Sequence, residues 1–289
     1  MAPFLKSLFK NKIPIFRLVN KVNDNENEGI SLITTFWYKS SGPLNVCKLW
    51  PNPIILANTE EEYEYYSEKT DTDVIYANQN AFINEDRFRI LDESKDYNMV
   101  VSSCFSNYKR VELCRNVPNV LHIGYKNGSI EYIPSFGKRI NFKNDSNNME
   151  EYRYINTREY VKLLNSSICG GIFSSIEGSC FSSSEYLLCG LPVISTSCKG
   201  GREIYYNEQN SIICDSNTKS VVDTFDFLLA NKLNYNKNSI RENKLIQMDF
   251  FRNTLTSFVK DKLEDKYSES VDYEELKTML KHFDNSQPC

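Results

Sequence analysis

Short apolar runs recur along the chain, separated by longer stretches with helical spacing. Ile30 to Tyr38 reads as a strand. After the turn Trp50-Pro51-Asn52-Pro53, the run Ile54-Ile55-Leu56-Ala57 has the length and composition of a buried strand. Thr59 with Glu62 behind it is a helix cap with its capping-box acid and predicts a helix over 60–69. Val74-Ile75-Tyr76-Ala77 and Met99 to Ser103 read as strands, Lys109 to Arg115 as a helix, and Val120 to Gly124 as the next strand. Pro134 to Ser146 is polar and reads as a turn-rich connection. Thr157 to Asn165 is a helix with Tyr160, Val161 and Leu164 on one face. Gly170 to Ser174 is a strand, and a helix from Ser182 or Ser183 to Cys189 is ended by Gly190. Val193 to Thr196 is a strand; Thr218 to Leu233 and 239–265 are helices, and 267–289 is a short helical or frayed tail. Such alternation predicts the α/β class, with a doubly wound parallel sheet covered on both faces.

The first 28 residues fit that scheme less well. Phe4, Leu5, Leu8 and Phe9 could line one helical face beside Lys6 and Lys10, which predicts a short docking helix or a frayed end. A basic amphipathic start also suits peripheral contact with a membrane surface. Asn23 to Glu28 is expected to be an exposed loop.

Composition narrows the function classes. The 289 residues are 40% hydrophobic and 25% charged, enough for a packed core. A net charge of −4 argues against general nucleic-acid binding, which calls for a basic surface. No apolar run is long enough to span a bilayer. His122 and His282 are the sole histidines, so no His-rich metal site is expected. His122 lies in an apolar strand and is expected to be a core residue. Nine cysteines, an odd count without CxxC spacing or a secretory leader, read as reduced thiols of a cytoplasmic protein.

The chemistry concentrates between Ser174 and Asp215. A strand ends at Ser174, a loop carries Glu177 and Gly178, and a helix follows; ligands of doubly wound sheets sit beyond such strand ends. The amides at the helix start suit a phosphate, and Ser182, Ser183 and Ser184 are good capping residues. Glu177 and Glu185 can reach one crevice, and a carboxylate matches vicinal sugar hydroxyls. Gly200-Gly201 makes a second tight loop at the same edge.

Glu177-Gly178, Glu185, Gly190-Leu191-Pro192-Val193 and Gly200-Gly201 together resemble the C-terminal signature of family 4 (group 1) retaining glycosyltransferases of the GT-B fold. The resemblance covers about 74–260. It implies a Rossmann-type nucleotide-sugar domain over 96–250, an abbreviated α/β acceptor-side domain over 1–95 and a helical tail over 251–289. By this resemblance Glu185 holds the ribose hydroxyls, Glu177 contacts the donor sugar, and the amides around Phe181 and Ser182 meet the donor diphosphate. Lys109 matches the lysine that neutralises the diphosphate, with Arg110 as a second candidate. Cys104 stands where the family usually carries an arginine, so that charge is lost or supplied by Arg110 or Arg202. Asn78 to Phe88 resembles the segment leading into the C-terminal domain. The implied reaction is sugar transfer from a UDP- or GDP-sugar to a carbohydrate, lipid-linked or protein acceptor, with retention and without metal or further cofactor. The alternatives are a non-catalytic nucleotide-sugar-binding partner or assembly subunit, or a GT-B epimerase or phosphorylase. Ordinary surface charge is the alternative for Lys109, Arg110, Lys199 and Arg202.

Overall fold

The computed structural model describes residues 3–10, 13–20, 29–35, 37–126, 134–141, 155–268 and 270–281. The loop expected over Asn23 to Glu28, and His282, lie outside these. Two sheets form the frame. The first has the order β1-β2-β3-β4-β5, with β1 Pro3–Lys10, β2 Ile13–Asn20, β3 Ile30–Ile33, β4 Pro53–Ala57 and β5 Asp73–Tyr76. Strands β1, β2 and β3 pair antiparallel, whereas β3, β4 and β5 are parallel. The second sheet comprises β6 Tyr97–Phe105, β7 Val120–Lys126, β8 Lys138–Asn141, β9 Ser167–Ile172, β10 Val193–Thr196 and β11 Ser211–Cys214. It is parallel throughout, in the order β11-β10-β9-β6-β7-β8.

Period-two alternation explains why the strands of the second sheet read as continuous apolar runs. Val100 and Val193 point into the larger core, which also holds Leu187, Met248 and Leu255. Their neighbours Met99, Val101 and Ile194 point into the other core, with Cys169, Val221 and Phe225. Both faces are buried, so both are mainly apolar. The larger core continues into the first sheet through Ile30, Leu32, Ile54, Leu56 and Ile75.

Helices α1 Gly42–Val46 and α2 Glu60–Ser67 belong to the first half. Helices α3 Thr157–Asn165, α4 Phe181–Leu188 and α5 Thr218–Ala230 belong to the second sheet, and α6 Lys237–Tyr267 and α7 Tyr273–Leu280 close the chain. Helix α6 runs unbroken through residue 250, where a boundary was expected. It also clamps the connector between the sheets. Arg252, 2% exposed, donates to the carbonyls of Ala81 (2.6 Å) and Ile83 (3.2 Å) and pairs with Glu85 at 2.8 Å. Lys281 reaches the same carboxylate at 2.6 Å. Arg241 adds bonds to the carbonyls of Glu85 (2.8 Å) and Phe88 (2.5 Å).

Several local expectations are corrected. Residues 3–10 form a strand, not a helix, and pair with β2, where Ile13, Ile15 and Val19 bring β-branched character. The amphipathic-helix argument for membrane contact therefore falls. Strand β3 stops at Ile33, because the Thr35 hydroxyl donates to the Trp37 carbonyl (2.7 Å) and accepts from the Trp37 amide (3.3 Å), turning the chain. The turn-rich 134–146 stretch contains β8, a short polar edge strand; charged residues blunt exposed edges and hide the strand pattern. The helix expected from Lys109 to Arg115 is two 3₁₀ turns, Asn107–Lys109 and Val111–Cys114, broken by Arg110 in the left-handed region (φ 48°). The tail beyond α6 is helical, as one of the two expectations had it: α7 is capped by Asp272, whose side chain accepts from the Glu275 amide.

Thr59 caps α2 by accepting from the Glu62 amide, as the spacing predicts. The reciprocal bonds of Glu62 go elsewhere, to the amides of Asn58 (2.8 Å) and Lys39 (3.1 Å). Burial pushes its pKa up from 4.5 to about 7, the two backbone N–H groups offsetting part of the rise. A carboxyl raised in the folded state takes up a proton on folding. Its contribution is therefore most favourable below the unfolded value of 4.5 and declines as pH rises toward about 7. Glu62→Gln should make the melting temperature climb more steeply, or fall less, between about pH 5 and 7 than in the wild type. Parallel melting curves across that window would count against the raised value.

Candidate functional site

In the second sheet β7 and β8 follow β6 on one side, while β9 returns to the other side. The order reverses between β6 and β9, the switch point beyond whose carboxyl ends doubly wound sheets take their ligands. Lys109 lies just after β6, and Ser174 and Glu177 just after β9. The fold thus joins residues 68 apart in sequence: the Lys109 ammonium pairs with Glu177 Oε1. The Ser174 hydroxyl donates to the same oxygen at 2.5 Å. Both charged side chains are largely enclosed, with 15% and 9% exposed. Burial pulls the Lys109 pKa down, but the charge of Glu177 outweighs it and holds the ammonium above the ordinary lysine range.

The arginines do different work from that expected of surface charges. Arg110 donates to the Phe173 carbonyl (2.6 Å), Thr196 Oγ1 (2.9 Å) and Ser216 Oγ (3.2 Å), tying together the ends of β9, β10 and β11. Arg202 is fully buried and donates to Ser174 Oγ (2.8 Å) and the carbonyls of Ser174 (2.9 Å) and Thr196 (2.6 Å). Neither is a free surface charge, and Arg202 cannot extend to a ligand without leaving these acceptors. Cys104 is buried with its sulfur 3.1 Å from the Tyr108 hydroxyl.

The loop geometry is set by backbone approach. The Glu177 amide donates to the Lys199 carbonyl (3.0 Å), and the Gly201 amide to the Gly178 carbonyl (2.6 Å), zipping the two loops together. Gly200 has φ +132°, and a Cβ there would strike the Glu177 carbonyl oxygen, so glycine is required. Helix α4 starts at Phe181, earlier than the serine pattern suggests. Its cap is Cys180 in the left-handed region (φ 59°), with no side-chain bond. Ser183 and Ser184 are inside the helix and buried; Ser183 Oγ lies 2.7 Å from the Tyr206 hydroxyl. Phe181 and Ser182 occupy the first turn and remain partly exposed. Gly190 ends the helix at φ 72°, as its position predicts.

Glu185 is not brought into the Lys109–Glu177 cluster. It is 3% exposed, and its Oε2 accepts from the Tyr160 hydroxyl at 2.7 Å. Tyr160 also lies 2.9 Å from Ser102 Oγ, within β6. Ser174 and Tyr160 were not foreseen, since a lone hydroxyl carries no spacing signal. The polar triplet Asn78-Gln79-Asn80, inside an otherwise apolar stretch, could have been recognised. Asn78 Nδ2 donates to the carbonyls of Asn58 (3.0 Å) and Gly201 (2.9 Å). Gln79 Nε2 donates to the Thr35 carbonyl (2.9 Å) and Ser179 Oγ (2.5 Å), and Asn80 Nδ2 to the Ser179 carbonyl (2.6 Å). Thr35, Asn58 and Asn78 follow β3, β4 and β5, so the carboxyl edges of the two sheets face each other across this hub.

His122 is a core residue: buried, packed edge-on against Phe136 (4.8 Å), with its pKa drawn down to about 4 by burial and then by Arg139. Among the described residues no cluster of histidine, cysteine or acidic side chains could hold a metal ion. An Asp-x-Asp triplet, Asp71-Thr72-Asp73, lies at the amino end of β5, on the opposite edge, with Asp73 paired to Lys262 at 2.7 Å. The described cysteines are free thiols, of which Cys180, Cys198 and Cys214 are only partly buried. No helix among the described residues is long and apolar enough to cross a membrane.

No family model matches the chain, and neither does any curated protein. Solved structures do match. TarM superposes with a TM-score of 0.55 at 15% identity, over 79% of this chain and 49% of its own. HepE from Anabaena, in complex with UDP-glucose, gives 0.54 at 11% identity, over 89% and 72%. The pneumococcal O-GlcNAc transferase GtfA, in complex with UDP and GlcNAc, gives 0.52 at 11%, over 82% and 53%. The chain spans about half the length of the first structures it matches. These neighbours are GT-B glycosyltransferases, and the fold of this chain is theirs: mixed α/β, with parallel strand pairing in both sheets.

Proposed function

We propose that this protein is a glycosyltransferase of family 4 type, moving a sugar from a UDP- or GDP-sugar to an acceptor with retention and without a metal ion or further cofactor. The observation that carries this reading is the Lys109–Glu177 pair at the switch point between β6 and β9, beside the uncapped start of α4. Departure of the nucleotide builds charge on its diphosphate. A fixed ammonium and helix amides stabilise that charge without reorganising. On donor binding the diphosphate would take over Lys109, and Glu177, freed from it, would accept from a sugar hydroxyl. Arg110 and Arg202 hold the strand ends. Gly178, Gly200 and Gly201 let the backbone come close. HepE and GtfA, each solved with a UDP species, lend the reading their example.

Glu185 is proposed to take the ribose hydroxyls in place of its bond to Tyr160. In this reading the first sheet, over about 1–95, belongs to the acceptor side, and the free thiols suit a cytoplasmic protein. A non-catalytic nucleotide-sugar-binding partner would use the same pocket and differ only in lacking turnover.

The test is thermal denaturation with UDP, GDP and their sugars. UDP or GDP is expected to raise the melting temperature, and Glu185→Ala to weaken that effect. Glu185→Gln keeps an acceptor for Tyr160 and separates ribose contact from folding. If neither nucleotide shifts the wild-type transition, the donor site is wrongly assigned. Nucleotide release from a sugar donor then separates an enzyme from a binding partner.

A further inference from the structure

Trp37 is 44% exposed although indole is costly to leave in water, and its position in the fold is specific. It lies in the loop after β3, at the carboxyl edge of the first sheet, where the loops of the two sheets meet. The loop is held firmly. Besides the two Thr35 bonds, the Lys39 amide donates to Glu62 (3.1 Å) and the Tyr66 hydroxyl to the Ser40 carbonyl (3.0 Å). The indole meets Tyr108, which comes from the second sheet, at 5.1 Å between centroids and 56° between planes. Two rings from the two halves therefore form an open aromatic corner. Tyr108 is the chain neighbour of Lys109, whose ammonium lies 4.9 Å from the Tyr108 ring centroid and pairs with Glu177.

We propose that Trp37 and Tyr108 form the acceptor subsite, and that the acceptor presents a pyranoside ring, its C–H face laid on this corner. This rests on the glycosyl-transfer reading for its place beside the donor sugar. A pyranose carries an apolar face of C–H groups and a rim of hydroxyls. The corner offers a matching apolar surface, and Tyr38, Lys39 and Glu61, which bond to one another at the rim, offer polar partners.

The chain has two tryptophans, so Trp50→Phe isolates the Trp37 signal. In that background, millimolar methyl glucopyranosides and methyl N-acetylglucosaminides are titrated by fluorescence and by saturation-transfer NMR. Sorbitol serves as the open-chain control. The expected result is a saturable change with at least one pyranoside and none with sorbitol. Trp37→Ala, followed by NMR, should bind at least about tenfold more weakly. The melting shift by UDP should persist in Trp37→Ala. Absence of pyranoside binding, equal binding of sorbitol, or full binding by Trp37→Ala would overturn the subsite. A wild-type protein that ignores nucleotides but binds pyranosides through Trp37 would retain the subsite and lose the donor assignment, so the two failures are distinguishable.

Discussion

Lys109→Ala is expected to lower sugar transfer, or donor hydrolysis if no acceptor is known, by at least about a hundredfold at saturating donor. Lys109 is enclosed and held to Glu177, and its pKa stays above the ordinary lysine range, so the charge is present across the usable pH range. Preorganised charge in an enclosed site is worth much more than the same charge in water. Arg110 cannot replace it without leaving Phe173 and Thr196, and Arg202 is bound to backbone carbonyls. Lys109→Arg should recover part of the rate, because the charge returns with a different shape. A Lys109→Ala enzyme that turns over at the wild-type rate would exclude a leaving-group role. Melting with and without UDP reveals whether the loss comes from chemistry or from binding.

Glu85→Ala should be the most damaging single change to the scaffold. It removes the buried carboxylate of Arg252 and leaves it only the more distant, exposed Asp249 at 3.5 Å, and breaking a buried pair from one side costs about 3 kcal/mol or more. At roughly 2–4 °C per kcal/mol, the melting temperature should fall by roughly 6–12 °C. The sign with pH follows from the same contacts. Burial raises the Glu85 pKa, but hydrogen bonds from Arg252 and Lys281, with the Arg252 charge, outweigh it and hold the carboxyl well below the usual carboxylate range. A depressed folded value contributes stability above the unfolded pKa and loses it as pH falls through the folded value. The gap between wild type and Glu85→Ala should therefore narrow below about pH 4. A constant gap, or a loss under about 1 kcal/mol, would mean that Arg252 is satisfied by Ala81, Ile83 and Asp249 without Glu85.

Much of this architecture is legible before any coordinates. Buried parallel strands advertise themselves as apolar runs because both faces are covered, as at Met99-Val100-Val101 and Val193-Ile194. Local caps do so as well: Thr59 on α2 and Gly190 after α4 stand where the spacing puts them. Elements whose character comes from outside themselves were misjudged. Strand β8 is an edge with little apolar pattern, residues 3–10 are a strand because β2 pairs with them, and Arg110 breaks a helix because its guanidinium is anchored 63 residues away on Phe173. The serine run 182–184 looked like a cap, yet the helix begins before it, because packing against the core draws Ser183 and Ser184 inside.

The sequence alone determined the α/β alternation, the two glycine-bearing loops and the Glu177/Glu185 candidates, because each depends on backbone geometry or on short-range periodicity. Only the tertiary structure decided which of those charges meet. It put Lys109 against Glu177 and separated Glu185 into a buried contact with Tyr160. It also anchored Arg110 and Arg202, the candidates for the missing positive charge, to the strand ends, and brought Trp37 to Tyr108. Those meetings depend on strand order: β9 returns beside β6 rather than beyond β8, which brings two strand ends far apart in sequence to one crevice. Pairing energy between strands sets that order, and it has no signature within any single segment.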